Sequence, residues 1–159
     1  MSIDQREFRN AVGCFATGVT IVTTIDREGE KVGITANSFS SLSLDPPLVL
    51  FCVDATINSY DAFENCEFFI VNVLREDQVD LSNNFARSSD DKWTGIEHRF
   101  GKNGSPTFEN SIAVLECKKH AVYEGGDHLI LVGQVVEFEY DDSGSRPLLY
   151  YRGSYANIT

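Results

Sequence analysis

The chain has 159 residues, of which 42% are hydrophobic and 11% aromatic, and a formal net charge of −11. That length fits one domain with its own core, residues 1–159, and not two ordinary ones, and the hydrophobic and aromatic share points to a packed core rather than disorder. With 24 acidic residues against 13 basic ones, the chain repels phosphate backbones and anionic lipid, so neither nucleic acid nor a membrane surface is an expected partner.

The first element predicted is a helix over about residues 4–16, with Phe8, Ala11, Val12, Phe15 and Ala16 at helical spacing. Ser2 and Gln5 match a capping box at its start, and Gly18 marks its end. Residues 19–25 are β-branched throughout, which crowds a helix and suits a strand. A turn at 26–30 returns the chain into a second strand at 31–35.

Next comes Gly33-Ile34-Thr35-Ala36-Asn37-Ser38-Phe39-Ser40-Ser41-Leu42-Ser43-Leu44-Asp45-Pro46-Pro47, read as a loop of small and hydroxyl residues. The prolines force an extended entry into a strand at 48–53, an apolar run expected to be buried on both faces. Ile57, Tyr60 and Phe63 suggest a short helix over 57–65, followed by a buried strand at 68–74. A helix over 77–86 carries Leu81 and Phe85 on one face.

Residues 88–110 read as a long polar loop, of the kind that is functional or mobile in a compact domain. Alternation resumes at 112–123, with Ala113, Leu115, Cys117, Ala121 and Tyr123 on one side. After the Gly125-Gly126-Asp127 turn, 128–140 is the longest strand candidate, and 148–151 closes the series. About seven strands and two or three helices make a mainly β domain, a barrel, and not a doubly wound parallel sheet.

Several chemistries are excluded. No GxGxxG, Walker loop or GxSxG elbow is present. The cysteines Cys14, Cys52, Cys66 and Cys117 form no CxxC pair, and His98, His120 and His128 form no HExxH, so neither a metal site nor a disulfide framework is expected. No run of 18 apolar residues spans a bilayer, and Met1–Glu7 lacks the apolar core of a signal peptide. A cytoplasmic location is the expectation.

The segment 33–47 with Leu48-Val49-Leu50-Phe51-Cys52-Val53 resembles the flavin-binding core of the flavin reductase-like family, short NAD(P)H:flavin oxidoreductases that serve two-component monooxygenases. Its pattern there is a strand, a T-x-x-S-type loop, S-L-D-P-P-L and a strand. Phe15-Ala16-Thr17-Gly18-Val19, Val71-Asn72-Val73-Leu74, Gly126-Asp127-His128 and Pro147-Leu148-Leu149-Tyr150 match in the same order, covering residues 8–155.

The resemblance implies an FMN-binding split β-barrel that forms a homodimer, with FMN or FAD in a groove and NADH or NADPH as reductant. By position, Thr35, Ala36, Asn37 and Ser38, with Phe39 and Ser40 behind them, line the flavin ring. Phe51, Cys52 and Val53 flank it, and Asn58 and Ser59 meet the flavin phosphate. Phe85 and Arg87 hold a second phosphate or adenine, although Arg87 fits a solvated helix end equally well. His128 is the residue carried over as catalytic, beside the nicotinamide, and Tyr150, Arg152 and Gly153 touch the same cofactor.

A cofactor-borne reaction needs no acid–base or nucleophile constellation, and none is visible. Reduced flavin is then passed to a separate oxygenase. A flavin-binding or electron-transfer protein without reductase activity is the alternative on the same fold, and a cofactor-free barrel that binds other proteins is the third reading. The sequence leaves FMN against FAD open, and the lack of a basic cluster for a 2′-phosphate favours NADH.

Overall fold

A computed structural model describes residues 2–159. Its elements run α1 (Gln5–Val12), β1 (Thr17–Gly18), β2 (Thr20–Ile25), β3 (Lys31–Ala36), β4 (Ser40–Leu44), β5 (Pro47–Asp54), α2 (Tyr60–Asn65) and β6 (Phe68–Val73). They continue with α3 (Val79–Ala86), β7 (Arg99–Phe100), β8 (Pro106–Thr107), β9 (Ala113–Gly125), β10 (His128–Tyr140), β11 (Leu149–Tyr151) and β12 (Ser154–Ala156). Seven strands form one sheet in the order β3-β2-β6-β9-β10-β5-β4. The sheet is open at β3 and β4, as a split barrel requires. A small sheet, β1-β11-β12, and a ribbon, β7-β8, complete the β structure. Among the described residues no helix is long and apolar enough to cross a membrane.

The strand β2 explains how the two sides of the sheet are filled. Its side chains alternate, so Val22 joins one core with Phe51, Phe63 and Phe69, while Ile21 joins another with Leu74, Phe85 and Phe108. The three threonines of β2 are buried as well, and their hydroxyls find partners. Thr20 Oγ1 donates to the Ala36 carbonyl at 2.7 Å and Thr24 Oγ1 to that of Phe68 at 2.7 Å. Burial of a polar side chain is tolerated on those terms. Helix α2 packs Phe63 into the first core, and α3 packs Phe85 into the second.

The chain departs from the sequence expectations in five places. Helix α1 stops at Val12, and its N-cap is Asp4, whose carboxylate accepts from the amides of Arg6 and Glu7 at 2.9 Å each. Asp is as good a cap as Ser, and it sits one residue before the helix, where Ser2 does not. The Ser-rich stretch is partly a strand: β4 pairs with β5 around a two-residue turn at Asp45-Pro46. As an edge strand it needs only one partner, so serines serve there.

Strand β5 is not buried on both faces. Val49, Phe51 and Val53 point into the core, while Leu48, Leu50 and Cys52 are half-buried. The long 88–110 segment contains the β7-β8 ribbon and a turn in which Glu116 accepts from the amides of Lys102 at 3.0 Å and Asn103 at 2.9 Å.

The fifth difference is parity. Val132 pairs with Ala121 and Gly133 with Lys119, leaving His120 as a bulge. The extra residue flips the alternation, so Val122 joins Leu115 and Cys117 against the first core while Tyr123 is exposed. Gly133 lies at the same point. A side chain there would collide with the Phe69 ring and bring its Cβ to 2.9 Å from that of Cys117.

Candidate functional site

A groove of about 330 Å³ opens between the end of β3, the outer face of β5 and the C-terminal end of α3, within the size range of small-molecule sites. One wall is the strand end carrying Ile34, Thr35 and Ala36, continued by Asn37 and Ser38. The Ser38 hydroxyl accepts from the Cys52 amide at 2.9 Å and donates to the Cys52 carbonyl at 3.3 Å. It thereby fixes the chain leaving β3 against β5. Thr35 Oγ1 donates to the Ser82 carbonyl on α3 at 2.6 Å, which ties the two walls together.

The floor comes from period-two alternation along β5, which turns Cys52 and Asp54 toward the groove and Phe51 and Val53 away. Burial pushes the Cys52 thiol up, offset in part by its bond to Ser38, so it stays protonated and is no nucleophile. Asp54 accepts from the Thr56 amide at 2.8 Å and the Thr56 hydroxyl at 2.7 Å. Those two bonds, and the nearby His128, hold its carboxyl below the usual carboxylate range.

Two cations, Arg87 and Lys92, line the groove where α3 ends and the following loop returns, as do Asn58, Ser59, Ser88 and Ser89. The Arg87 guanidinium rests on Asn84. The Lys92 ammonium is half-buried and donates to the carbonyls of Phe85 at 3.1 Å and Gly33 at 3.3 Å. Desolvation, then the charge of Arg87, lowers its pKa from the ordinary lysine value. Asn58 Nδ2 donates to Asp90 at 3.3 Å, joining the segment before α2 to the loop after α3.

His128 opens β10 opposite Asp54 in the β10-β5 register, and both line the groove. Its Nδ1 lies 2.7 Å from Asp127 Oδ1. An ionised carboxylate only accepts, so Nδ1 carries the proton and Nε2 is left to meet a ligand.

The structure brings together Thr35, Ala36, Asn37, Ser38, Cys52, Asn58, Ser59, Phe85, Arg87 and His128 in this one groove. It does not bring in the others named from the sequence. Phe51 and Val53 are fully buried, and the Phe51 ring meets Phe63 and Phe69 edge-on. Phe39 packs against the first core, and Ser40 is exposed on β4 with its hydroxyl on the Ser41 carbonyl.

Tyr150 packs on Tyr155. Arg152 and Gly153 form the tight turn of the C-terminal hairpin, where the Arg152 amide donates to the Gly13 carbonyl at 2.9 Å. That turn lies beside α1 and not in the groove lining.

Sequence reasoning missed Asp54, Thr56, Ser88, Ser89 and Lys92, all of which line the groove. Asp54 was accessible, being two residues past Cys52 on the same strand face. Lys92 carries no local signal, because only the return of the 88–93 loop against β3 brings it there. Trp93 anchors that loop, with Phe85 edge-on at 4.8 Å and Phe108 stacked at 5.9 Å.

A model of the flavin reductase like domain matches residues 12–159. The chain belongs to the flavin reductase-like family. It is 43% identical over 157 residues to the Mycobacterium tuberculosis "Flavin-dependent monooxygenase, reductase subunit HsaB", covering 98% of this chain and 83% of that protein. It is 45% identical over 152 residues to a Rhizobium meliloti protein named "Probable flavin reductase", covering 96% of this chain but 48% of that one, so the chain spans about half the length of that relative.

Among solved structures, the chain superposes with a TM-score of 0.93 on the Streptomyces globisporus NADH:FAD oxidoreductase SgcE6 in complex with NAD and FAD fragments. The two are 35% identical, over 98% of this chain and 93% of that one.

Proposed function

We propose that this chain is an NAD(P)H-dependent flavin reductase that binds FMN or FAD in the β3-β5-α3 groove and supplies reduced flavin to a separate oxygenase. The observation that carries the reading is the groove itself, with a polar strand edge at Thr35–Ser38 and two cations, Arg87 and Lys92, in its lining. The relatives named as monooxygenase reductase subunits support it.

The residues present suit a flavin. The small side chains of Ala36 and Ser38 leave the backbone approachable by a flat ring, and Arg87 and Lys92 supply positive charge for a phosphate in an otherwise acidic chain. Ser59 and Asn58 add polar contacts beside them. Bound there, a flavin would supply the two-electron chemistry, with reduced nicotinamide as the source of hydride.

The chain's own contribution is to bind and orient. Arg87 and Lys92 hold the phosphate end, Thr35 to Ser38 meet the polar edge of the ring, and Phe85 walls the groove against water. His128, with Nδ1 held by Asp127, directs Nε2 toward the nicotinamide and keeps its orientation without taking part in bond making.

The finer assignments follow the same reading. NADH is favoured over NADPH, because Arg87 and Lys92 are the groove's cations and both serve the flavin end. The domain acts as a homodimer in the cytoplasm. Helix α1 buries none of its residues while exposing Phe8 and Val12, and Leu44 on the edge strand β4 is 96% exposed. Apolar surface of that kind suits a second copy. Following nicotinamide absorbance after adding FMN or FAD tests the reading: flavin-dependent consumption supports it, and no consumption with either nicotinamide ends it.

A further inference from the structure

We propose that Tyr155 is a positioning residue for the groove, acting through Ser82 on Thr35, even though it lies in the C-terminal hairpin outside the lining. The proposal rests on the flavin-reductase reading, since it concerns how the same groove is held open to its ligand.

The contacts form a continuous series. Tyr155 Oη donates to Asn83 Oδ1 at 3.0 Å and lies 2.7 Å from Ser82 Oγ. A phenol has one proton, and Tyr155 gives it to Asn83, so the Ser82 hydroxyl must donate to Tyr155. Ser82 is fully buried on α3, and its carbonyl accepts the Thr35 hydroxyl at 2.6 Å. Every hydroxyl proton in the series is therefore spent inside the protein. Thr35 turns only acceptor lone pairs to the groove and is matched to a ligand N–H or O–H.

The series also sets a spacing. Ser82 stands one helical turn before Phe85, Ala86 and Arg87, which form the α3 wall. Thr35 belongs to the opposite wall. Fixing Ser82 from behind with Tyr155, and from in front with Thr35, fixes the separation of those walls. The Tyr155 ring is itself held, with Tyr150 edge-on at 5.6 Å. The closing segment of the chain thus reaches the site through Tyr155, braced by Tyr150.

The test compares flavin binding, by quenching of FMN and FAD fluorescence, in the parent, Tyr155→Phe, Thr35→Val and the Tyr155→Phe/Thr35→Val double variant. Each of Tyr155→Phe and Thr35→Val raises the flavin Kd by about three- to tenfold, the scale of one hydrogen bond. The double variant is no weaker than the weaker single, because the two lie on one series. The kcat at saturating flavin stays within about twofold for Tyr155→Phe, since the residue touches no reacting atom.

Two results overturn the proposal: Tyr155→Phe that loses thermal stability yet binds flavin as the parent does, or losses that multiply in the double variant. Should Tyr155→Phe not fold, Ser82→Ala breaks the same contact and is judged by the same Kd. A parent protein that binds neither flavin overturns the flavin reading itself, which is a different failure.

Discussion

The Lys92 ammonium lies 3.3 Å from the Gly33 carbonyl, pinning the loop after α3 to the strand β3 that forms the opposite wall of the groove. A second bond, to the Phe85 carbonyl at 3.1 Å, occupies another of its three donors. One donor remains for a ligand, next to Arg87. Lys92 therefore both closes the end of the groove and charges it.

Removing that charge separates phosphate binding from ring binding. Lys92→Met is expected to raise the Kd for FMN by about tenfold, the scale of a charge-assisted hydrogen bond. Riboflavin, which has no phosphate, is expected to lose much less, through the loosened loop alone. Parallel titrations of the two flavins check this, and an equal loss for both would move Lys92 out of the phosphate site.

The same residue predicts a pH dependence. Desolvation and Arg87 lower its pKa from the ordinary lysine value, and only the charged form attracts phosphate. FMN affinity is therefore complete below the lowered pKa and falls as pH rises through it, earlier than for an exposed lysine. Riboflavin affinity stays flat over that window. In Lys92→Met the alkaline fall in FMN affinity is absent; its persistence there would assign the titration to another group.

His128 lines the groove from β10 beside Asp54, on a different element from Lys92, so its role is expected to be separable from flavin binding. His128→Ala raises the nicotinamide KM by about tenfold, as loss of a well-placed contact of one to two kcal/mol does. The flavin Kd stays within about twofold of the parent. Asp127→Asn, which keeps the shape but loosens the hold on Nδ1, moves the nicotinamide KM the same way by less. Steady-state kinetics with flavin saturated separate these effects.

Asn72 tests the link between the sheet and the 106–108 segment. It is fully buried, donates to the Ile21 carbonyl at 3.1 Å and accepts from Thr107 Oγ1 at 2.8 Å and the Phe108 amide at 3.3 Å. Asn72→Leu leaves those partners unsatisfied and is expected to cost about 2–4 kcal/mol. Denaturant unfolding measures it, with the FMN Kd of the folded fraction unchanged because Asn72 lies away from the groove.

Periodicity over residues 19–35 and 128–140 was enough to place β2, β3 and β10, because β-branched and alternating apolar residues dictate extended chain locally. It failed at His120, where a bulge changes the face of every later residue in β9 without any mark in the residue types. It failed again along β5, since a six-residue apolar run does not reveal that only Val49, Phe51 and Val53 reach the core. The groove was legible through the family motif, as at Thr35, Ser38 and Cys52, and not through alternation. Lys92 and the Tyr155 series were not, because each depends on a contact between segments distant in the chain.

On the proposed reading, this groove holds a flavin where reduced nicotinamide can reduce it. Anaerobic mixing of the protein and FMN or FAD with NADH, followed at the visible flavin absorbance, tests it most directly. Bleaching is expected to depend on the protein and to slow in His128→Ala at subsaturating NADH. Flavin absorbance left unchanged by both NADH and NADPH would contradict it.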